Sequence, residues 1–393
     1  MSARDKIAIL TGGGDVPGLN PVIKSVVYGA ARIGREVIGI RKGWEGITYM
    51  TGPDDANYVM PLNRANTRTI DRTGGTILHT SRTNPRKITE AKLAPQHLKA
   101  KELGKIKFDG KVYDLTPVVL ENLEKLGIGC LVAIGGDDTL SFASVLDRAK
   151  FPVVAIPKTM DNDVPGTEYC IGFSTAVTRA RDAINRQRTT IGSHERIGIF
   201  RIFGRDAGFT AFYTAYVTFT RCLIPEQPFD MDRLCSLLME DKRENSSHYA
   251  IVIASEGAIW TGGEVKEYGE ADAFGHRKKA DIGQLIDQEI RSRIKQDTIV
   301  SDLTYDLRGG EPDVTDQMAG IGFANIALDL IREGSYGRMV ALQNGCFTHI
   351  PVPDTSRGAR KINVAKLYDT QNYQPNYGSK QGLPLYFTGS ELT

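Results

Sequence analysis

The chain predicts an α/β protein of two doubly wound lobes, each a parallel sheet layered by helices on both faces, and three observations carry that reading. First, short apolar runs rich in β-branched residues recur along its 393 residues, which suits strands buried on both faces of a parallel sheet. Second, most of these runs are followed by a glycine turn and then a helix-like segment, often enough for two layered sheets, and this length favours two domains. Third, carboxylates and cations gather just after the runs. They would sit in the crevice at the carboxyl ends of parallel strands, where open α/β sheets bind ligands.

Composition narrows the function classes. A hydrophobic content of 41%, a charged content of 24% and 41 glycines suit a soluble α/β enzyme. A formal net charge of +2 lacks the basic excess of a nucleic-acid binder, so no nucleic-acid partner is expected. The polar Met1–Lys6 leads at once into a strand, unlike a signal peptide, and no apolar run approaches membrane-spanning length. The five cysteines are scattered without Cys-x-x-Cys spacing, so a reduced cytoplasm with neither disulfide framework nor zinc site is expected.

Taken in order, Lys6–Thr11 (KIAILT) is the first buried strand. It runs into Gly12-Gly13-Gly14-Asp15-Val16-Pro17-Gly18 and a helix from about Asn20 to Arg32. Glycines let backbone amides approach phosphate oxygens, and a helix N-terminus adds partial positive charge. Taken alone, the motif is equally a tight βα turn. Glu36–Ile40 is the next strand; Trp44 after it either covers a ligand or anchors its loop. The glycine turn Thr73–Thr76 leads to Arg82, which either forks onto a phosphate or lies solvated at the surface. Residues 84–111 turn polar and basic with little periodicity, an inserted loop or small lobe, and a helix Pro117–Leu126 follows.

The stretch Cys130–Asp163 is the densest in chemistry. Strand Leu131–Ile134 ends in Gly135-Gly136-Asp137-Asp138-Thr139, a helix spans Leu140–Ala149, and strand Pro152–Ile156 ends in Pro157-Lys158-Thr159-Met160-Asp161-Asn162-Asp163. Asp137 directly after a strand suits a carboxylate for Mg²⁺, or else a helix N-cap. Asp161 and Asp163 point the same way if the segment is extended, one acting as general base while the other orients; an Asx-rich turn is the alternative. Both motifs, one strand apart, suggest metal-assisted phosphoryl transfer.

Further on, an arginine-rich helix covers Arg179–Arg188, and Arg196 opens strand Ile197–Ile202, which ends in Phe203-Gly204-Arg205 before a helix near Asp206. Phe209, Phe212, Tyr213, Tyr216 and Phe219 recur at helical spacing and read as core. Strand Tyr249–Ser255 ends at Glu256, placed to accept from a sugar hydroxyl or to cap a helix. A helix at Gly283–Ile294, the segment Thr304–Gly310 with Tyr305 and Arg308, a helix at Thr315–Glu333 and a strand at Arg338–Gln343 complete the chain.

These motifs, in this order and spacing, resemble the phosphofructokinase family over nearly the whole length. The resemblance implies two three-layer lobes with the active site in the crevice between them. It assigns 1–172 plus 307–360 to donor phosphate and Mg²⁺, and 173–306 plus 361–393 to sugar phosphate. It implies transfer of a phosphoryl group to the 1-hydroxyl of fructose 6-phosphate. Gly13 and Gly14 would cradle the donor, Arg82 would touch the group in flight, and Asp137 would carry Mg²⁺. Asp161 would be the base, with Thr159 and Asp163 beside it. Phe203, Gly204 and Arg205 would line the sugar phosphate, Phe203 standing where the family has methionine. Glu256 would hold sugar hydroxyls, and Tyr305 and Arg308 the 6-phosphate. Arg196 matches an arginine lent across a subunit boundary, implying a homodimer or homotetramer. Ile299 stands where many members have a second such arginine, and Lys24 and Tyr28 where controlled bacterial members bind an effector.

Two departures bear on the donor. Asp138 and Lys158 replace glycines of the ATP-using members, as in the pyrophosphate-dependent branch. A carboxylate about 4 Å from an α-phosphate would repel it by roughly 4 kcal/mol at an effective dielectric near 20. Lys158 adds a compact cation suited to pyrophosphate. The expected activity is therefore Mg²⁺-dependent and pyrophosphate-driven. The rivals are an ATP-dependent or mixed-donor kinase and a non-catalytic sugar-phosphate sensor on the same fold. An NAD-binding enzyme is disfavoured, since Gly12–Gly18 lacks the G-x-G-x-x-G spacing and its acidic partner.

Overall fold

A computed structural model describes residues 5–263, 281–355 and 358–387, with the paired segments 267–268 and 278–279. The first elements are β1 (Lys6–Thr11), α1 (Leu19–Arg32), β2 (Val37–Ile40), α2 (Trp44–Tyr49), β3 (Val59–Leu62), α3 (Pro95–Glu102), β4 (Lys107–Phe108), β5 (Tyr113–Asp114) and α4 (Thr116–Lys125). Then come β6 (Ile128–Gly135), α5 (Asp137–Arg148), β7 (Val153–Pro157), α6 (Phe173–Ser193), β8 (Ile197–Ile202), α7 (Phe209–Thr218), β9 (Arg221–Leu223), α8 (Met231–Glu244) and β10 (Ala250–Ser255). The last are β11 (Glu267–Tyr268), β12 (Lys278–Lys279), α9 (Ile282–Ile294), β13 (Thr298–Leu303), α10 (Val314–Glu333), β14 (Arg338–Gln343), β15 (Cys346–Pro351), α11 (Val364–Leu367), β16 (Tyr368–Asp369) and β17 (Gln374–Pro375).

The chain divides into two compact units. The first takes in Met1–Thr159 and Gly310–Gly358, and the second Met160–Ala271, Arg277–Gly309 and Ala359–Thr393. The chain thus leaves the first unit after Thr159, where the expectation had placed the passage after residue 172. Local bonding accounts for the difference. Thr210 on α7 donates to the Met160 carbonyl (2.7 Å), and the Arg360 amide to the Asp163 carbonyl (2.7 Å), so 160–163 is tied into the second unit. Residues 1–4 and 388–393 of the expected lobes lie outside the described residues, as do 356–357 and parts of 264–280.

The first unit is built on a seven-stranded sheet in the order β15-β14-β7-β6-β1-β2-β3. The inner strands run parallel, and β3 and β15 close the edges antiparallel. The chain passes from β1 to β2 on one side and from β6 to β7 on the other, so the carboxyl ends of β1 and β6 form the switch point of a doubly wound sheet. Leu10, Ile40, Leu131, Phe142 and Leu146 fill one face, together with Trp44. Trp44 is therefore core, its ring edge-on to Phe142 at 4.8 Å, and does not cover a ligand. The polar stretch 84–111 is folded: its Ile88, Ala100 and Ile106 form an apolar cluster with Tyr113, Leu115 and Val118, which follow it in the chain.

The second unit holds a parallel sheet in the order β13-β8-β10-β9. Aspartates start its helices at α8 and α9, where Asp230 accepts from the Arg233 amide and Asp281 from the Gly283 amide. The aromatic stripe on α7 is core at Phe209, Phe212 and Tyr213. Phe219 departs from that reading: it caps α7 in the left-handed region (φ 54°), is 78% exposed, and stacks on Tyr377 at 4.9 Å. The helix expected near Asp206 begins at Phe209. Among the described residues no helix is long and apolar enough to cross a membrane, and the cysteines are free thiols.

Candidate active site

In the first unit, the glycine loop after β1 is fixed from several directions. The Gly12 amide donates to the Ile134 carbonyl of β6 (2.9 Å) and the Gly13 amide to the Ser81 carbonyl (3.1 Å). Thr80 Oγ1 donates to the Gly13 carbonyl (2.6 Å). Gly13 sits at φ 79°, a conformation that favours glycine. Asn20, buried at the start of α1, reaches the Thr73 and Gly74 carbonyls and accepts from the Ile77 amide. The turn 73–81 is thereby stitched to the loop, and exposed Arg82 follows directly after the residue that holds Gly13.

The end of β6 approaches the same loop. A methyl group on Gly12 or on Gly135 would overlap the Thr139 side chain, so these glycines give Thr139 its place between the two turns. The helix begins earlier than expected, at Asp137, with Gly136 as N-cap. Asp137 is thus not the cap; Asp137 and Asp138 both lie half-buried in the first turn, where the helix dipole favours negative charge. Lys158, at the end of β7, is only 4% exposed, and its Nζ donates to the Gly14 carbonyl at 2.5 Å. That bond joins the β7 end to the glycine loop across β6. Thr159 closes the unit.

In the second unit, the strand-end residues meet at one carboxyl edge. β13, β8 and β10 are neighbours, and they deliver Tyr305 and Arg308, Phe203-Gly204-Arg205, and Glu256 respectively. Gly204 holds φ 130°, and a side chain there would overlap Ser255; the Gly257 amide donates to its carbonyl at 3.0 Å. The Arg308 guanidinium lies 4.6 Å from the Phe203 ring centroid and 5.8 Å from that of Tyr305. Its buried Nε has no hydrogen-bond partner among the described residues. Arg205 Nε comes within 4.0 Å of Glu256. Arg201, which sequence reasoning passed over, bonds Asp302 (2.8 Å) and Glu256 (3.5 Å) and so orients the Glu256 carboxylate.

Asp161 stands among these groups. Burial pushes its carboxyl well above the usual carboxylate range, neighbouring Asp163 and Glu256 push the same way with Asp206, and Arg308 opposes them. The loop that carries it is set by Asn162, fully buried in the left-handed region (φ 53°). Its Nδ2 donates to the Glu168 carbonyl (2.9 Å), and its Oδ1 accepts from the Cys170 amide (2.8 Å). Arg196 is not brought to this edge: it precedes β8 at the opposite, amino end of the same sheet. Among the described residues no group of three or more histidines, cysteines and acids forms a metal cage.

A family model described as phosphofructokinase matches residues 6–331. A pyrophosphate–fructose 6-phosphate 1-phosphotransferase of Amycolatopsis methanolica is 36% identical over 360 residues, covering 91% of this chain and 96% of the relative. An ATP-dependent 6-phosphofructokinase of Mycobacterium tuberculosis (strain H37Rv) is 32% identical over 366 residues, covering 93% of this chain and 98% of the relative. A crystal structure of a pyrophosphate-dependent phosphofructokinase from Marinobacter aquaeolei superposes with a TM-score of 0.73 at 16% identity, covering 98% of this chain and 92% of that one.

Proposed function

The chain belongs to the phosphofructokinase family, and we propose that it transfers a phosphoryl group reversibly from pyrophosphate to the 1-hydroxyl of fructose 6-phosphate, giving fructose 1,6-bisphosphate and phosphate. One observation carries the donor. Asp138 lies in the first turn of α5, and buried Lys158 is bonded to the glycine loop at Gly14. A carboxylate at the helix N-terminus repels a third phosphate there, while a desolvated ammonium on the loop favours a compact, densely charged donor. Relatives named for either donor stand at similar identity, so the residues at 138 and 158 bear the weight of this choice.

In this reading the Gly13 amide, spent on Ser81, shapes the turn, and the donor meets the amides from Gly14 onward, the α1 N-terminus and Arg82. Asp137 suits Mg²⁺, which binds through one or two carboxylates plus substrate phosphates and keeps its waters. Mg²⁺ would neutralise phosphate charge when bound. Asp161 takes the proton of the 1-hydroxyl, with Asp163 and Thr159 orienting that group. Phe203, Gly204 and Arg205 line the sugar phosphate, Glu256 accepts from sugar hydroxyls, and Tyr305 with Arg308 receives the 6-phosphate. Catalysis is then positioning plus charge stabilisation. The setting is the cytoplasm, and the working form a homodimer or homotetramer with Arg196 lent across the interface.

The test is kinetic. Purified protein with Mg²⁺ and fructose 6-phosphate is assayed with pyrophosphate and with ATP, and kcat/KM is expected to be higher for pyrophosphate. A higher value with ATP would overturn the donor and leave the acceptor standing. Turnover with neither would favour a sugar-phosphate sensor.

A further inference from the structure

The segment from Ala359 to Ile362 has no part in the chemistry above, yet it carries a buried cation. Arg360 is 6% exposed, and its guanidinium lies 4.4 Å from the Phe209 ring centroid. Its backbone amide donates to the Asp163 carbonyl (2.7 Å), and its Nη2 donates to the Asn162 carbonyl and, at 3.4 Å, to the Glu168 carbonyl. Its Nε and Nη1 are buried with no acceptor among the described residues. Burial pushes the guanidinium below its ordinary range, against the pull of neighbouring groups that include Asp163 and Glu168.

A buried charge with part of its donors unmet costs stability, and an apolar side chain of similar size is often as good or better for folding. Stability alone therefore gives no reason for an arginine here. What the side chain does is hold backbone carbonyls of the segment that bears Asp161 and Asp163, while Asn162 holds the same segment from within through Glu168 and Cys170.

We infer that Arg360 and Asn162 are positioning residues, a two-sided clamp that fixes the Asp161–Asp163 backbone so that the Asp161 carboxylate meets the acceptor hydroxyl in one orientation. The inference rests on the reading of Asp161 as the base. The clamp touches only main-chain atoms of the loop, so its loss misplaces Asp161 without removing any group that binds sugar phosphate.

The test uses Arg360→Met and Asn162→Gly in the full chain, glycine being free to keep the left-handed conformation. Three readouts are compared with wild type: thermal midpoint, kcat against KM for fructose 6-phosphate, and amide hydrogen exchange across 161–170. Arg360→Met is expected to keep its midpoint while kcat falls about 100-fold, KM moves far less, and exchange across the loop rises. A merely structural arginine would lower the midpoint and leave kcat per folded molecule unchanged, which overturns the clamp. If Arg360→Met does not fold, Asn162→Gly decides: folded protein with wild-type kcat and exchange overturns it, and a matching loss supports it. If wild type turns over neither donor, the functional reading has failed by itself. Exchange then decides alone, and unchanged protection of 161–170 in the variants sinks the clamp.

Discussion

Asp161 shows what a single carboxylate contributes at the price of stability. Its pKa is raised by burial and by Asp163, Glu256 and Asp206, so the folded chain keeps that proton at pH values where the unfolded chain has lost it. The associated stabilisation is complete below the ordinary value of 3.8 and is lost as pH rises through the folded value. Asp161→Asn removes that dependence. The variant is expected to be more stable than wild type near neutral pH, no different at strongly acid pH, and slower in kcat by roughly two to four decades. Chemical denaturation across a pH series, run beside the kinetic assay, checks both halves. A variant less stable than wild type at neutral pH would refute the strained-carboxylate account, and an unchanged kcat would remove Asp161 as base. If Asp161 is the base, the acid limb of kcat in wild type should lie above the range of an ordinary carboxylate, because only the ionised carboxylate could accept the proton.

At the scale of elements, the inserted lobe is held to the first unit through α3. His97 on that helix is fully buried. Its Nδ1 accepts from the Ala94 amide (3.1 Å), and its Nε2–H donates to the Thr48 carbonyl on α2 (2.8 Å). Gln96 bonds the Tyr49 carbonyl, and the Tyr49 hydroxyl reaches Lys92. Burial lowers the His97 pKa, so the lobe's docking is at full strength above the ordinary value of 6.5 and weakens as pH falls below it. Amide protection across 88–106, measured against the intrinsic exchange rate at each pH, is therefore expected to fall between about pH 6.5 and 5, while β1 and β6 stay protected. His97→Ala should lower that protection at all pH values and abolish its pH dependence; an unchanged protection profile would sink the idea. This lobe was also where the sequence was least legible, since its small cluster of Ile88, Ile106 and Tyr113 is scattered among charged residues without a helical or strand period. β9 is three residues long, and β15 is largely solvent-facing, so neither offers a buried apolar run to read. The central strands, the glycine turns and the strand-end carboxylates were legible because burial on both faces and close backbone approach restrict residue type. Arg360 was not, because Ser356-Arg357-Gly358-Ala359-Arg360-Lys361 reads as a solvated turn and Arg360 grips a carbonyl 198 residues away.

For the whole molecule, the role proposed for Arg196 would set how many chains one working site needs. It lies immediately before β8, whose six residues end at the Phe203-Gly204-Arg205 edge. At about 3.3 Å per residue the strand separates the two ends by about 20 Å, too far for an arginine side chain to reach the Phe203-Gly204-Arg205 edge of its own sheet. If Arg196 touches sugar phosphate, it does so in another copy, and each site is built from two chains. Complementation tests this directly. Arg196→Ala and Asp161→Ala, each nearly inactive alone, are co-expressed and purified together. In a mixed pair one site carries both substitutions and the other carries neither, so random pairing restores about a quarter of wild-type activity. Activity no greater than the sum of the two separate variants would show that Arg196 works within its own chain or not at all. If each site borrows its Arg196 in this way, specific activity is expected to fall on dilution through the dissociation constant of the assembly, because separated chains would leave every site without its arginine.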